Sequence, residues 1–147
     1  MTWEKRTLHL VGLAIDPTHA PLAAGLLELQ QIRAQRARTI GQRLEKAGLP
    51  GIYEEACRLA GDGMMTRTHF AACIARRGLA ADMRDVFNRY LSTGKPGHVP
   101  TCWVAMETAI GWIRGAGGIA GLAHPQRYKL SGGWLRRLAG EFRDMGG

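Results

Sequence analysis

The chain has 147 residues, enough for one domain with a core of its own and too few for most complete α/β barrels. Its apolar fraction of 46% and charged fraction of 22% are ordinary for a globular protein, and no apolar run approaches bilayer length, so no membrane partner is expected. Lysine and arginine outnumber the acidic residues 20 to 12, a net charge of +8 that favours phosphate esters, nucleotides or nucleic acid without choosing among them. Along the chain, residues 7–13 read as a strand and Asp16-Pro17-Thr18-His19 as the turn that ends it, with Asp16 or Thr18 available to cap the next helix and His19 on the surface. That long helix is expected over 21–47, stopped by Gly48-Leu49-Pro50-Gly51. Leu22, Leu26, Leu29, Ile40, Leu44 and Ala47 form its apolar stripe, and Arg33, Arg36, Arg38, Arg43 and Lys46 crowd its second half.

Shorter helices are expected over 52–59, over 67–77 with Thr66 as cap and Gly78 as stop, and from Asp82 with Asp85 to about Leu91. Residues 92–100 form a polar loop carrying Lys95 and His98. A helix over 104–114 leads through Gly115-Ala116-Gly117-Gly118 into a strand, Ile119 to Ala123, and residues 133–145 form a last amphipathic helix with Trp134, Leu135, Leu138 and Phe142 inward. Trp3, Trp103 and Trp112, with Trp134, read as core or rim aromatics. Two strands do not make a stable sheet alone, so each is expected to need partners that the chain does not obviously contain. Cys57, Cys73 and Cys102 form no CxxC pair, which argues against a cysteine zinc site and for a reducing, cytoplasmic setting. No leader is expected ahead of the first strand.

Leu122-Ala123-His124-Pro125 carries the chemistry. His124 arrives where a strand ends and a loop begins, and Pro125 is expected to hold its backbone extended. A neutral histidine so placed suits metal ligation, and a buried histidine satisfied by a hydrogen bond is the alternative. His9, between Leu8 and Leu10, is expected to point opposite to those apolar neighbours.

These segments, in order, resemble the PHP (polymerase and histidinol phosphatase) superfamily, and within it the nucleoside 3',5'-bisphosphate phosphatases and 5'-to-3' oligoribonucleases. The resemblance runs through Leu8-His9-Leu10-Val11-Gly12-Leu13 with Ile15-Asp16, Arg43-Leu44-Glu45-Lys46-Ala47-Gly48, and Arg67 with His69-Phe70-Ala71. It continues in Val86-Phe87, Tyr90-Leu91, Gly94-Lys95-Pro96-Gly97 and Val99-Pro100, and closes with Ala116-Gly117-Gly118, Leu122-Ala123-His124-Pro125, Arg127-Tyr128 and Trp134-Leu135.

The resemblance implies an α/β fold, part of a distorted seven-stranded TIM-like barrel with a helical insertion, and mostly helical in this chain. The implied division is 1–20 as barrel strand and turn, 21–100 as helical insertion, and 101–147 as barrel helix-strand-helix, all within one incomplete PHP domain. It implies divalent manganese, iron or zinc at the strand ends, where such ions activate water for attack on a phosphate ester. His9 and His124 match two metal-ligand positions. Arg67, Lys95 and Arg127 match phosphate-binding ones, and His69 and His98 are possible cleft residues. No residue is assigned as the catalytic acid or base. His98 replaces a tyrosine and Thr68 a proline expected in relatives.

The HxH pair, further ligands and DxH pair of the superfamily have no counterpart here. The expected function is therefore a central fragment of a metal-dependent phosphoesterase acting on nucleotides or short oligoribonucleotides, inactive by itself and with no protein partner assigned. Two histidines hold too little of a coordination shell for a multinuclear cluster. The alternative is a short basic helical module that binds nucleic acid without catalysis, supported by the charge and the arginine-rich helix. A degenerate barrel serving as a scaffold is a third.

Overall fold

The long helix forms as α1, Ala20–Lys46, in a computed structural model that describes residues 1–101 and 103–147. Glycine ends it: Gly48 takes φ +89°, Gly48 N–H donates to Glu45 O at 3.0 Å and Leu49 N–H to Leu44 O at 3.0 Å. These two hydrogen bonds close the helix with a residue in the left-handed region, where a Cβ would be strained. Asp16 does not cap the helix. Its Oδ1 accepts from Thr18 N at 2.8 Å and Thr18 Oγ1 at 2.7 Å, bonds that lower its pKa and fix the preceding turn. His19 is half-buried rather than on the surface.

The chain divides into two compact units, one of residues 1–28 with 102–147 and one of residues 29–101. The second is helical. It contains the rest of α1, α2 (Ile52–Ala60), α3 (Arg67–Arg76) and α4 (Met83–Val86), which continues as a π-helical segment, Phe87–Leu91. The Asp82 carboxylate accepts from Asp85 N at 2.8 Å while Asp85 Oδ2 accepts from Ala81 N at 3.1 Å, so the expected cap closes from both sides. Ile40, Leu44, Ile52, Phe70, Ile74, Val86 and Leu91 are buried together as its core. Arg77 braces the start of α2, with two nitrogens on Glu55 and Nη2 also donating to Pro50 O at 2.9 Å.

The first unit contains every strand described. β1 (Thr2–Trp3) and β2 (Arg6–Thr7) form an antiparallel hairpin turned by Glu4 and Lys5, at φ +46° and +60°. Neither is a residue that announces a left-handed turn, so no local signal marked this hairpin, which takes Thr7 from the strand expected over 7–13. What remains is β3, Leu10–Leu13, paired antiparallel with β4, Ile119–Leu122. The two strands expected to need outside partners partner each other. α5 spans Met106–Gly115 and starts later than 104, because Val104 O accepts from Thr2 N at 2.8 Å and Trp103 N donates to Thr2 Oγ1 at 3.1 Å. α6 spans Gly132–Asp144 and is capped by Ser131.

Trp3, Leu8, Met106, Ile110, Ile113, Ala120 and Leu138 form this unit's core. Leu26 is exposed, contrary to the stripe expected for α1, because α1 turns Gly25 inward instead. The Trp112 indole lies so close there that a Cβ on Gly25 would sit 2.5 Å from it. Among the described residues the architecture is thus mixed and mostly helical, with two small sheets. Cys57 and Cys73 are free thiols; Cys102 lies outside the described residues.

Candidate functional site

His9 immediately precedes β3 and His124 follows β4 by one residue. Antiparallel pairing sets Leu10 opposite Leu122, and Ala123 N–H donates to His9 O at 3.0 Å, carrying the ladder past both strands. The start of one strand and the end of the other therefore share one end of the ribbon. The two imidazole rings meet there edge to face, with centroids 5.1 Å apart and planes at 73°. The period-two alternation holds, with Leu8 fully buried and His9 exposed. His124 is exposed as well, so neither ring has the burial of a core histidine.

The expected extended backbone at His124 is not observed. Its φ is +37° and ψ 55°, in the left-handed region. Proline disfavours the right-handed helical region for the residue before it, and histidine is among the few non-glycine residues enriched in the left-handed one. Such a conformation costs on the order of 1–3 kcal/mol and persists only where neighbours impose it. Here Pro125–Tyr128 close a 3₁₀ turn, with Arg127 N–H donating to His124 O at 3.0 Å.

Tyr128 completes the arrangement, and its role is not assigned by the sequence reading. Its hydroxyl donates to Ala123 O at 2.7 Å and accepts from His9 N–H at 2.9 Å. One side chain thus ties together the two segments that carry the histidines, while its ring lies 5.4 Å from that of His124. The available signal was the tyrosine four positions after His124, behind a proline that starts a turn.

The other candidates divide between the units. Arg127 is exposed on the 3₁₀ turn beside His124. Arg67, His69, Lys95 and His98 belong to the helical unit. Arg67 opens α3 with its guanidinium 5.7 Å from the Phe87 ring centroid. His69 has a local task, because its Nδ1 accepts from Thr66 N–H at 3.0 Å as the returning half of a capping box. Lys95 sits exposed in a turn after Gly94, at φ +79°. The turn is tied at its far end, where a Cβ on buried Gly97 would lie 2.8 Å from Leu44 and 2.9 Å from Tyr90 O. His98 contributes its carbonyl, which accepts from Arg43, and Arg36 Nε donates to Val99 O at 3.0 Å. Two arginines of the basic half of α1 therefore brace this loop.

The chemistry available at the ribbon end is that of two neighbouring imidazoles. As nitrogen donors they suit iron or zinc, whereas manganese calls for oxygen ligands beside them. Among the described residues no group of three or more His, Cys, Asp or Glu is placed to hold a metal ion, so the donors fit part of a coordination shell. Among the described residues no helix is long and apolar enough to cross a membrane.

No family model matches the chain. It is 45% identical along its full length to a 3',5'-nucleoside bisphosphate phosphatase of Chromobacterium violaceum, covering 52% of that protein. It is 48% identical over 99% of its length to the 5'-3' exoribonuclease Rnm of Escherichia coli, covering 50% of it. The chain is a homologue of these phosphatases and exoribonucleases. The resemblance drawn from its motifs therefore holds, and the chain spans about half the length of the curated relatives it matches. Its fold is that of half of an amidohydrolase from C. violaceum, solved with bound sulfate and no metal, with a TM-score of 0.88 at 45% identity over 99% of this chain and 52% of that one. It also matches a protein of Bifidobacterium adolescentis described as a metal-dependent phosphoesterase, with a TM-score of 0.78, covering 95% of this chain and 51% of that one. At 21% identity, that likeness concerns the fold alone.

Proposed function

We propose that this chain supplies part of the site of a PHP-type metal-dependent phosphoesterase that acts on nucleoside 3',5'-bisphosphates or on the 5' ends of short RNA. His9 and His124 are two of its metal ligands, for manganese, iron or zinc. The observation that carries this reading is the meeting of two exposed imidazoles, 5.1 Å apart, from residues far apart in the chain. Such ions, when bound, activate water and offset the charge that develops on phosphoryl oxygens.

The rest is the work of the chain. Tyr128 positions both histidine segments through Ala123 O and His9 N–H. Arg127, and in the helical unit Arg67 and Lys95, bind phosphate oxygens; planar guanidinium groups do so two oxygens at a time. His69 orders the start of the helix that bears Arg67. In the finer fold, β3 and β4 are strands of the PHP barrel and residues 21–100 its helical insertion. Two imidazoles alone give too few ligands for turnover, so the chain by itself is inactive.

The test is a zinc titration of the 147-residue chain followed through the histidine ring resonances. Zinc is expected to shift the His9 and His124 signals together, and His9→Ala or His124→Ala to abolish the response of the remaining partner. A titration that moves neither ring, or moves one without regard to the other, overturns the assignment.

A further inference from the structure

The helical unit contains a cleft of about 410 Å³ between α1, α2 and the segment after α2. Its floor exists because α1 places small residues there: Ala34 and Ala37 line it, each one turn beyond the longer Gln30 and Arg33. Tyr53 of α2 forms a wall, and it approaches α1 because Gly41 has no side chain; a Cβ there would lie 2.7 Å from that of Tyr53. Gly61, at φ +55° and ψ −134°, ends α2 and turns the chain so that Asp62, Met64 and Met65 form the remaining side.

The lining combines a flat aromatic, two polarizable thioethers, an amide, a carboxylate and a guanidinium. Thioethers and an aromatic ring offer a planar ring system an apolar sandwich. Asp62 and Gln30 can accept from the amino and imino groups on a base edge, and Arg33 can pair with a phosphate oxygen. The volume lies within the range of small-ligand sites.

The local charge agrees. Arg36, one turn along from Arg33 and half-buried against Val99 O, has its pKa lowered first by burial and then by the charges of Arg67 and Arg33. Positive groups are gathered on this part of the unit, which an anion would relieve.

We infer that this cleft is a nucleotide-binding site, in which a base lies between Tyr53 and the Met64–Met65 wall and its phosphate meets Arg33. It is separate in sequence and in constituent residues from the histidine pair. The choice of a nucleotide over another planar anion rests on the phosphoesterase reading. The site deepens that reading by naming a nucleotide as the group the helical unit recognises.

The test uses the 147-residue chain in excess EDTA, so that metal chemistry at the histidines has no part in it, with AMP as the probe and inorganic phosphate and adenosine as controls. AMP is expected to shift the backbone amides of Ala37 and of residues 62–65, and to bind more tightly than either control. Arg33→Gln is expected to weaken AMP by about tenfold or more, the loss of one charged hydrogen bond, and to leave adenosine unchanged. Tyr53→Leu, which retains apolar volume, is expected to weaken both. His124→Ala is expected to bind AMP as the parent does, so the cleft stands or falls independently of the metal site. Phosphate binding as tightly as AMP, or AMP shifts confined to residues outside the cleft, overturns the inference. If Tyr53→Leu does not fold, Arg33→Gln with the two controls still decides it.

Discussion

In the helical unit, Leu44, Phe70, Ile74, Val86 and Leu91 have no measurable exposure and share one cluster. In the other unit, the β3–β4 ribbon buries Ala120 yet leaves Val11, Leu13 and Ile119 at 44%, 56% and 67% exposure. Leu13 lies directly opposite Ile119, and Val11 is on the same face two residues away. Helices satisfy their own backbone groups and need only one covered stripe, so a few of them can close a core. A two-stranded ribbon retains open edges and a second face. The unit that is closed carries the bracing arginines and the cleft. The one that is open carries the histidine pair, where an incompletely covered apolar face and strand edges leave room for further structure.

The largest expected break in this comparison is Phe70→Ala. Removing a fully buried aromatic costs about 3–5 kcal/mol, through lost transfer energy and the cavity left behind. Denaturant titration by circular dichroism checks it. Tryptophan fluorescence shows whether the loss stays in the helical unit, because Trp3, Trp103, Trp112 and Trp134 all belong to the other one. A loss below about 1 kcal/mol would mean that the cluster does not hold the unit together.

The closed unit was also the more legible in sequence. Helix ends at Gly48 and Gly78 and caps at Thr66 and Asp82 carry local chemical signals, and they formed where the residues indicate. The open unit was harder, for physical reasons. Glu4 and Lys5 turn the hairpin without glycine or asparagine, so no residue type announced it. The partnership of β3 with β4 joins positions more than a hundred residues apart, which no local pattern records. His9 and His124 were legible as candidates, one through alternation and one through the strand-His-Pro ending. The antiparallel pairing that brings them to one end was not, and neither was the left-handed backbone of His124. Tyr128 was visible only as part of a motif, because the role of its hydroxyl depends on two backbone groups that the fold brings together.

A smaller effect sharpens the reading of the open unit. Tyr128→Phe removes only the oxygen that bridges Ala123 O and His9 N–H, at an expected cost of about 0.5–1.5 kcal/mol per bond lost. The ring contact with His124 is kept. The direct readout is hydrogen exchange at the His9 amide, which should quicken selectively in the variant. Equal exchange in both proteins would remove Tyr128 from its positioning role and leave the 3₁₀ turn after His124 as the restraint on its left-handed backbone.

The smallest effect compares the units by pH. Each has a glutamate held ionised: Glu55 by hydrogen bonds from Arg77, and Glu141 by the Trp3 indole N–H first and Arg137 next. Both folded pKa values lie below the ordinary one. Folding therefore gains from each carboxylate above the unfolded pKa, about 4.3, and loses that gain as pH falls through the folded value. Both pairs are partly exposed and screened, so each contribution is modest. Glu55→Gln should flatten the acid limb of stability seen by circular dichroism and leave the tryptophan signal unchanged. Glu141→Gln should flatten the acid limb of the tryptophan signal and move the Trp3 emission, since the amide still accepts from the indole but no longer holds Arg137. Identical acid limbs in both variants and both signals would mean that the carboxylates titrate as in the unfolded chain, and that the ordering of Arg77 and Arg137 comes from packing alone.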